Sequence, residues 1–578
     1  MPNAALAALE PPVHDPLWQE ALMLPFGKTY EEIRDRFVWQ IPEHYNIGTD
    51  VCDKWADKDP ERPALICVSE SGAETITFGA LRDYSNAAAN LFESLGLGQG
   101  DRLGVLLPQS VETAIAHIAA FKMGAISIPL FTLFGAEALE HRLKDAGVKA
   151  VVTNAEGVAK LTAIRDRLPS LTHVLCPEQG AQGTHSFNEL LAKQPTAYEA
   201  KTTRADDPAL IIYTSGTTGL PKGALHAHRV LLGHLPGVEM AFDLFPQPGD
   251  VIWTPADWAW IGGLLDVLLP ALHHGVPVVA RRFSKFTGEA AFDLMASQGI
   301  RNAFIPPTAL KMMRAVPDAE SRWPLSIRSV GSGGETLGAE LLDWGRRVLG
   351  VTINEFYGQT ECNVVVSSAS SLMKPRPGCM GPPVPGHIVD IINANGRPCA
   401  DGELGDIAVK SPDPVMFLGY WNNPGATASK FRGDWLITGD RGVRHSDGLL
   451  QFVGRDDDVI TSAGYRIGPS EIEDCLLRHE AVQAAAVVGK PDHARTEIVK
   501  GYVVLRDGVS PSAALLSELQ DFVKVRLAAH EYPREIEFVA SLPMTTTGKI
   551  IRRELRARAK AEAEGQGPNR AEGFSSGP

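Results

Sequence analysis

The amino-acid sequence predicts an α/β fold: a large N-terminal domain of βαβ-type sheets with a small β subdomain, and a small α+β C-terminal domain. Three observations support this prediction. Strands and amphipathic helices alternate from about residue 77 to residue 152 and again after residue 209, which is typical of right-handed βαβ units around a largely parallel sheet. After Gly386 the sequence changes to short strands and turns. A further unit begins at about residues 454–460.

The first helices and strands show how the elements are assigned. Residues 78–101 are amphipathic and end in glycines, as a helix with its C-cap does. Residues 101–108 then fit a buried strand, and residues 110–125 fit the next helix. Further strands are predicted at 125–130, 149–154, 209–215, 275–280, 301–306, 326–335 and 352–358, with a hairpin at 390–410. Several of these strands run into glycine-rich or polar loops, where open α/β sheets bind their ligands.

The domain boundaries follow from these changes in pattern. We place the N-terminal domain at residues 1–455 and the C-terminal domain at residues 456–556. Residues 557–578 contain few apolar side chains, so we expect them to be disordered.

The composition excludes several classes of protein. The 578 residues carry a net charge of -14, whereas dedicated nucleic-acid binders usually present a basic face. The most apolar stretch, residues 261–279, is interrupted by Asp266 and Pro270 and is predicted to be a buried helix that leads into a strand, not a membrane span. The N-terminus lacks the pattern of a secretory signal. The seven cysteines show no CxxC spacing, so we expect reduced thiols in a cytoplasmic protein and no structural zinc.

The segment from Tyr213 to Gly223, YTSGTTGLPKG, is the most informative part of the chain. It follows an apolar strand and holds four Ser/Thr hydroxyls, three glycines and one lysine. Glycines let the backbone approach a phosphate, and hydroxyls and Lys222 add donors and charge, so the segment predicts a triphosphate loop. It is not a Walker A loop, because Pro221 stands where that motif has its second glycine. The alternative is a plain surface turn. The candidate phosphate-binding residues are Thr214, Ser215, Gly216, Thr217, Thr218, Gly219 and Lys222.

Further characteristic segments follow this loop in order. They are Gly334-Glu335-Thr336, Tyr357-Gly358-Gln359-Thr360-Glu361, Thr438-Gly439-Asp440, Gly454 to Asp458, Gly464 to Glu471 and Thr547-Gly548-Lys549. Together with the loop, they resemble the motifs of the adenylate-forming (AMP-binding) superfamily over about residues 45–556. The chain resembles the acyl-CoA synthetase branch, and its medium-chain members more than the acetate-specific ones.

The resemblance implies a role for each segment. Thr360 would touch phosphate, and Glu361 would hold Mg²⁺, because a hard cation prefers a carboxylate oxygen and bridges to substrate phosphates. Lys549 would place its ammonium between the substrate carboxylate and the α-phosphate. Asp440 and Arg455 would bind the ribose hydroxyls. The other residues implied to line the nucleotide site are Gly334, Glu335, Thr336, Tyr357, Gly358 and Gln359.

The implied reaction has two half-reactions. A carboxylic acid attacks the α-phosphate of ATP and gives an acyl-adenylate and pyrophosphate. Coenzyme A then takes the acyl group and releases AMP. The expected ligands are therefore ATP, Mg²⁺ and coenzyme A as co-substrate, with the loop amides, Glu361 and Lys549 stabilising the charge that develops.

The resemblance also implies a mobile C-terminal domain with two orientations. We expect the hinge at Asp457, which would absorb the dihedral change. In the second orientation Gly464 would border the path of the pantetheine arm and Arg466 would approach a phosphate. A plain turn is the alternative role for Gly464.

The acid pocket is predicted from three glycines. Gly358 stands where the acetate-specific enzymes have a tryptophan that blocks the pocket. Each substrate methylene that is buried in the freed space would contribute ~0.8 kcal/mol to binding. We therefore expect an acid larger than acetate, either medium-chain or branched or aromatic. Trp258 and Trp260 are either core or pocket residues. The predicted pocket residues are Trp260, Ile261, Gly262, Gly333 and Gly358.

Two other functions remain as alternatives. In the first alternative, the acyl group passes to a carrier protein in place of coenzyme A. The short segment from Asp440 to Arg455 lacks the insertion that is typical of such ligases. The second alternative is a catalytically inactive nucleotide-binding scaffold. Lys549 also resembles the lysine that an acyltransferase and a deacylase modify reversibly in many family members. No nucleic-acid partner or membrane span is expected.

Overall fold

The fold was determined from a computed structural model. It describes residues 22–177, 185–214, 220–335, 337–455, 458–462, 465–492, 495–527, 531–545 and 549–564. The strands are β1 (Pro63–Ser69), β2 (Gly72–Thr77), β3 (Arg102–Leu106), β4 (Ile126–Pro129), β5 (Ala150–Thr153), β6 (His173–Cys176), β7 (His185–Ser186), β8 (Pro208–Thr214), β9 (Lys222–Ala227), β10 (Ile252–Trp253), β11 (Val278–Arg281), β12 (Asn302–Phe304), β13 (Ser329–Gly333), β14 (Asn354–Gln359), β15 (Cys362–Ser367), β16 (Val389–Ile392), β17 (Leu404–Lys410), β18 (Gly419–Tyr420), β19 (Phe431–Arg432), β20 (Trp435–Arg444), β21 (Leu450–Arg455), β22 (Ile460–Ser462), β23 (Tyr465–Ile467), β24 (Val482–Asp492), β25 (Thr496–Leu505) and β26 (Glu535–Phe538).

The α-helices are α1 (Tyr30–Arg36), α2 (Lys54–Lys58), α3 (Phe78–Ser94), α4 (Val111–Lys122), α5 (Ala136–Ala146), α6 (Ala155–Thr162), α7 (Phe187–Leu191), α8 (Val230–Ala241), α9 (Ile261–Gly263), α10 (Leu269–His273), α11 (Gly288–Ser297), α12 (Pro307–Arg314), α13 (Ala319–Arg322), α14 (Ala339–Trp344), α15 (Pro424–Ser429), α16 (Pro469–Leu477), α17 (Ala513–Arg526) and α18 (Arg552–Ala563). A π-helical segment, Leu264–Leu268, joins α9 to α10, so this part of the chain is one continuous helical run. As predicted, that run is buried and leads into strand β11.

Two large sheets form the N-terminal part of the described chain. Sheet A has the strand order β15-β14-β13-β12-β10-β11-β1-β2, and sheet B has the order β18-β9-β8-β4-β3-β5-β6-β7. The inner pairs of both sheets are parallel, whereas the edge pairs β1/β2, β14/β15, β8/β9 and β9/β18 are antiparallel. The sequence prediction of a largely parallel α/β architecture is therefore confirmed.

The largest apolar core joins the two sheets. It takes Leu65 and Val278 from sheet A, Leu103 and Leu210 from sheet B, and apolar side chains from the helices between them. Helix α4 lies in this core and begins at Ser110, whose side chain accepts a hydrogen bond from the backbone N–H of residue 113. Such an N-cap satisfies one of the donors that a helix start leaves unpaired. The helix predicted at residues 110–125 is thus present.

Two smaller sheets complete the described chain. Sheet C contains β16, β17, β20, β19 and β21, and sheet D contains β23, β22, β25, β24 and β26. The hairpin predicted at residues 390–410 is confirmed, since β16 and β17 pair antiparallel from Val389 opposite Val409. Sheet C supplies one wall of the site below, and sheet D packs helices α16, α17 and α18.

The prediction that disorder begins at residue 557 is wrong. Helix α18 continues to Ala563, and Ala559 is fully buried against strands β24 and β25. Glu562 forms an ion pair with Lys500, whose side chain is buried. Two buried apolar side chains, Leu555 and Ala559, and several ion pairs anchor this polar helix, which is why its low apolar content was misleading. Residues 565–578 lie outside the described part of the chain.

None of the helices described is both long and apolar enough to cross a lipid bilayer.

Candidate active site

Strands β8 and β9 position the two described residues that flank the predicted phosphate loop. Thr214 ends β8 and pairs with Lys222 at the start of β9. The Lys222 ammonium lies over the ring of Tyr420, 5.2 Å from its centroid. A cation–π contact of this kind attracts the ammonium to the face of the ring, so Tyr420 helps to position Lys222. The intervening loop residues, 215–219, lie outside the described residues.

The turn between β14 and β15 carries Thr360 and Glu361. The register of the two strands shifts at this point, where Gln359 pairs with Cys362. Glu361 is 6% exposed, and its carboxylate accepts a hydrogen bond from the Tyr420 hydroxyl. Its backbone carbonyl accepts a hydrogen bond of 2.8 Å from the N–H of Phe417. Hydrogen bonds therefore hold both the side chain and the backbone of Glu361 in place.

Lys430 connects this turn to sheet C. Its ammonium donates to Gln359 Oε1 at 3.0 Å and to the carbonyl of Thr438 at 3.2 Å, and it lies 3.9 Å from Glu361 Oε1. Gln359 in turn donates to the carbonyl of Thr438 at 3.1 Å. One lysine thus joins two motifs that are about eighty residues apart in the chain.

The predicted ribose partners are direct neighbours in sheet C. Asp440 on β20 pairs with Arg455 on β21, and Arg455 Nε lies 3.9 Å from Asp440 Oδ1. The Tyr357 hydroxyl donates to Asp440 Oδ2 at 2.6 Å. Burial raises the pKa of the Asp440 carboxyl, while the Tyr357 hydrogen bond and the charge of Arg455 act in the opposite direction. The Asp440 carboxylate can accept hydrogen bonds from the two hydroxyls of a diol such as ribose.

The C-terminal part of the chain brings Lys549 to the same place. Its ammonium lies 5.6 Å from the ring centroid of Trp260 and 3.6 Å from where a Cβ would stand on Gly334. Burial lowers the pKa of Lys549, and the nearby Arg455 lowers it further, whereas Glu335 and Asp440 raise it. The backbone amide of Lys549 donates to Thr545 Oγ1 at 3.0 Å, which ties the backbone at Lys549 to Thr545.

Comparisons with known proteins identify the family of this site. The model of the AMP-binding enzyme family matches residues 52–421, which is more than half of the chain. The chain belongs to the AMP-binding enzyme family. The model of the AMP-binding enzyme C-terminal domain matches residues 471–549. Both matches agree with the predicted superfamily.

Relatives of this AMP-binding enzyme are similar over nearly their whole length. The acyl-coenzyme A synthetase ACSM4 of Homo sapiens is 36% identical over 89% of this chain and 91% of the relative. The acetyl-coenzyme A synthetase of Bacillus subtilis is 34% identical over 92% of this chain and 95% of the relative. The crystal structure of the anthranilate CoA ligase AuaEII with anthranoyl-AMP is similar, with a TM-score of 0.84 and 29% identity over 91% of this chain and 99% of that one.

The three predicted pocket glycines of this AMP-binding enzyme stand where a side chain would collide with its neighbours. A Cβ on Gly358 would stand 2.3 Å from the backbone nitrogen of Val364, and one on Gly333 would stand 2.8 Å from the ring of Phe356. A Cβ on Gly262 would stand 2.7 Å from the ring of Phe304. A neighbouring strand and two aromatic rings therefore leave no room for a side chain at these positions, and the expectation that the glycines enlarge the pocket stays a prediction.

The two tryptophans that the sequence left ambiguous have different surroundings. Trp258 is fully buried in the largest apolar core, whereas Trp260 is only partly buried at its edge. Trp260 packs on Phe304 with ring centroids 5.6 Å apart, and Phe304 lies 5.2 Å from Phe356. Trp260 therefore belongs to the site and Trp258 to the core. Ile261, which begins helix α9, is buried beside Trp260.

Several predicted site residues are not described. They are Ser215, Gly216, Thr217, Thr218, Gly219, Thr336, Asp457, Gly464 and the side chain of Arg466. The backbone of Arg466 forms part of strand β23. The roles assigned to these residues, the hinge and the path of coenzyme A among them, stay predictions.

Sequence reasoning missed Lys430, Tyr420, Phe304 and Phe356. Lys430 and Tyr420 hold Gln359 and Glu361, and the two phenylalanines fill the space beside the pocket glycines. None belongs to a recognisable motif. The only available signal was position, since Tyr420 and Lys430 lie before the Thr438-Gly439-Asp440 segment and Phe304 lies within a predicted strand.

Proposed function

We propose that this protein is an AMP-forming acyl-CoA synthetase that converts a carboxylic acid, ATP and coenzyme A into acyl-CoA, AMP and pyrophosphate. One observation carries the proposal. The Lys549 ammonium stands beside Trp260, Gly334 and the Asp440–Arg455 pair, where a carboxylate and the α-phosphate of a bound nucleotide would meet. The names of the similar proteins, acyl- and acetyl-coenzyme A synthetases and a CoA ligase, support the same activity.

The proposed first step is in-line attack of a carboxylate oxygen on the α-phosphorus. A new carboxyl–phosphorus bond forms, and the bond to the bridging oxygen of pyrophosphate breaks with its electron pair leaving on pyrophosphate. Both reactants are anions, so the step needs positive charge at the point of contact. Lys549 supplies that charge, while Asp440 and Arg455 hold the ribose and Lys222 stands at the phosphate loop.

Glu361 is suited to holding Mg²⁺. Magnesium is usually bound through one or two carboxylates together with the phosphates of its substrate, and the buried, oriented Glu361 carboxylate offers one such ligand. When bound, the ion would neutralise phosphate charge and orient the leaving pyrophosphate. We infer that Thr360, in the same turn, contacts a phosphate.

The proposed second step is attack of the coenzyme A thiolate on the acyl-adenylate carbonyl, with AMP as leaving group. Free coenzyme A is favoured over a carrier protein because β20 and β21 form a direct hairpin between Asp440 and Arg455, without the insertion expected of carrier-protein ligases. We propose that the C-terminal domain, residues 456–556, turns about Asp457 between the steps and that Gly464 and Arg466 then line the path of coenzyme A.

We propose a medium-chain, branched or aromatic acid larger than acetate as the substrate. The aromatic row of Trp260, Phe304 and Phe356 supports this, because stacked rings offer an apolar surface to an extended or aromatic acyl group. Acetate is the second candidate, since one similar protein is named acetyl-coenzyme A synthetase.

The free thiols of the seven cysteines fit a protein that resides in a reducing compartment. All seven are free, and six are buried, so we propose the cytoplasm as the location. We also propose that Lys549 is a site of reversible acylation, which would remove the charge that the first step needs.

The test is AMP formation from ATP and Mg²⁺, with and without coenzyme A, across straight-chain acids from acetate to decanoate, isobutyrate and benzoate. We expect AMP formation that requires coenzyme A and is greater with acids beyond acetate. Pyrophosphate release without thioester would contradict coenzyme A as the acceptor. A maximum at acetate would contradict the larger acid.

The matched variant for this test is Lys549→Ala, with Lys560→Ala on the exposed face of α18 as control. Removing the Lys549 charge should lower acid-dependent ATP–pyrophosphate exchange by at least about a hundredfold, while ATP still binds and a supplied acyl-adenylate is still converted to thioester. Full exchange by Lys549→Ala would overturn the assigned role of this lysine.

A further inference from the structure

A polar cluster lies inside the apolar core behind the site. Asp266, on the π-helical segment, is 2% exposed, and Asn363 on strand β15 is 6% exposed. The Asn363 amide donates to Asp266 Oδ1 at 2.7 Å. His234 on helix α8 is fully buried, with its Nε2 atom 4.0 Å from the same oxygen. Three elements therefore bring one carboxyl, one amide and one imidazole together.

One acceptor of the cluster, His234 Nε2, has no donor within the described chain. His234 Nδ1 lies 2.7 Å from the carbonyl of Val230, so it carries the ring proton. Nε2 then holds a lone pair, and it has no hydrogen-bond partner within the described chain. Burial lowers the pKa of His234 to about 4, so the ring is neutral near pH 7. A hydroxyl or amino group would supply the donor that this arrangement lacks.

Structural stability does not explain these groups. The neighbours of Asp266 along the helical run, Leu264, Leu265, Val267 and Leu268, all belong to the largest apolar core. Burial raises the pKa of Asp266 well above its ordinary value, and the Asn363 hydrogen bond opposes this only in part. A polar group in such surroundings destabilises a fold unless its hydrogen bonds are complete. The incomplete cluster is therefore a candidate for ligand recognition.

Two members of the cluster lie next to glycines that were predicted to line the acid pocket. Asp266 stands four residues after Gly262, one turn along the helical run, and Gly262 packs on Phe304. Asn363 packs on Gly358, with its Oδ1 2.7 Å from where a Cβ on that glycine would be. The aromatic row begins at Trp260, below Lys549, and ends at Phe356, two residues before Gly358.

We propose that Asp266, Asn363 and His234 form the polar end of the acid site, and that the preferred acid carries a hydroxyl or aromatic amino group on the part farthest from its carboxylate. This inference rests on the proposed function, because it assumes that the carboxylate lies at Lys549. The Asp266 carboxyl and His234 Nε2 accept from the substrate group, and Asn363 keeps Asp266 in position.

The first experiment compares matched acids in the ATP–pyrophosphate exchange assay of the full-length enzyme. Each set contains a parent acid, a donor-bearing acid and a fluoro acid of similar size: benzoate with its 3- and 4-hydroxy, amino and fluoro derivatives, and hexanoate with its 6-hydroxy and 6-fluoro derivatives. We expect kcat/KM for at least one donor-bearing acid to exceed that of its fluoro partner about tenfold or more.

The second experiment repeats the comparison with Asp266→Asn and Asp266→Leu, with Glu239→Gln as control. Glu239 is another buried carboxyl, on the same helix as His234, and it accepts from the backbone amides of Met23 and Leu24. The ratio of donor-bearing to fluoro acid should fall about tenfold in both Asp266 variants and stay at the wild-type value in Glu239→Gln. Asp266→Asn keeps the side-chain shape, so it gives a result even where Asp266→Leu fails to fold.

The outcomes separate the two proposals. Exchange with parent acids but no preference for any donor-bearing acid would overturn this inference and leave the synthetase intact. A preference that survives Asp266→Asn unchanged would also overturn it. Absence of exchange with every acid would overturn the proposed function and this inference together.

Discussion

Lys430 shows how one side chain can set the geometry of two motifs. It reaches from the end of α15 to Gln359 and to the carbonyl of Thr438, and its charge lies 3.9 Å from Glu361. Hydrogen bonds that involve a charged group contribute about 1.5–3 kcal/mol. The lysine therefore fixes the end of strand β14 against strand β20, where phosphate and ribose would be bound by neighbouring residues.

We predict that Lys430→Met raises the KM for ATP about tenfold, because Gln359 and the Thr438 carbonyl lose their shared donor. Lys430→Arg should restore part of the loss, since it keeps the charge. Steady-state kinetics with varied ATP at saturating Mg²⁺ measure this effect. Lys410→Met, an exposed lysine on β17 that packs on Trp435, is the control. An unchanged KM in Lys430→Met would contradict the positioning role.

Many individual site residues could be predicted from the sequence, whereas their supports could not. Asp440 and Arg455 belong to contiguous motifs at strand ends, so local pattern was enough to find them. Tyr420 and Lys430 act on Glu361 and Gln359 across about sixty and seventy residues of chain. The Tyr420 contact depends on how sheet B packs beside sheet A, and the Lys430 contact on how sheet C does. No local sequence pattern records that packing.

Strands β14 and β15 pack so closely that they restrict one of the predicted pocket positions. Gly358 has no room for a side chain, because β15 passes within 2.3 Å of its Cβ direction. On β15, Val364 has a φ of 49°, a region that β-branched residues rarely adopt. The strained backbone and the glycine together bring Asn363 and Glu361 close to the site. The sequence motif located Gly358 but did not show that strand β15 excludes a side chain there.

Gly358→Ala should therefore destabilise the protein by about 1–3 kcal/mol, because the two strands must separate to admit one methyl group. We expect the same variant to lose adenylation activity, since the turn that carries Glu361 moves with the strands. Urea unfolding and pyrophosphate exchange measure the two effects. Gly425→Ala is the control. Its Cβ meets nothing within 4 Å, and it lies in helix α15, where alanine is the better helix former. Equal stability of both variants would contradict the steric argument.

For the whole molecule, buried titratable groups predict a stability maximum near neutral pH. Burial lowers the pKa of several histidines: His117 and His226 to about 3, and His228 and His234 to about 4. Because these groups bind fewer protons in the folded state, their contribution is lost as pH falls below about 6.5. Burial raises the pKa of Glu355 to about 8. That carboxyl binds more protons in the folded state, so its contribution is lost as pH rises toward 8.

The variant Glu355→Gln tests the predicted loss of stability as the pH rises above 6.5. Glu355 lies on β14, is 6% exposed and accepts from the backbone amide of Leu337. Glutamine keeps that acceptor and cannot ionise. In the wild type the free energy of unfolding should fall as the pH rises from 6.5 to 8. In the variant this fall should be smaller by up to about 1.4 kcal/mol per pH unit. Urea titrations at fixed pH values measure it, with the exposed Glu554→Gln on α18 as control. A variant curve parallel to the wild-type curve would show that Glu355 is already ionised at pH 6.5.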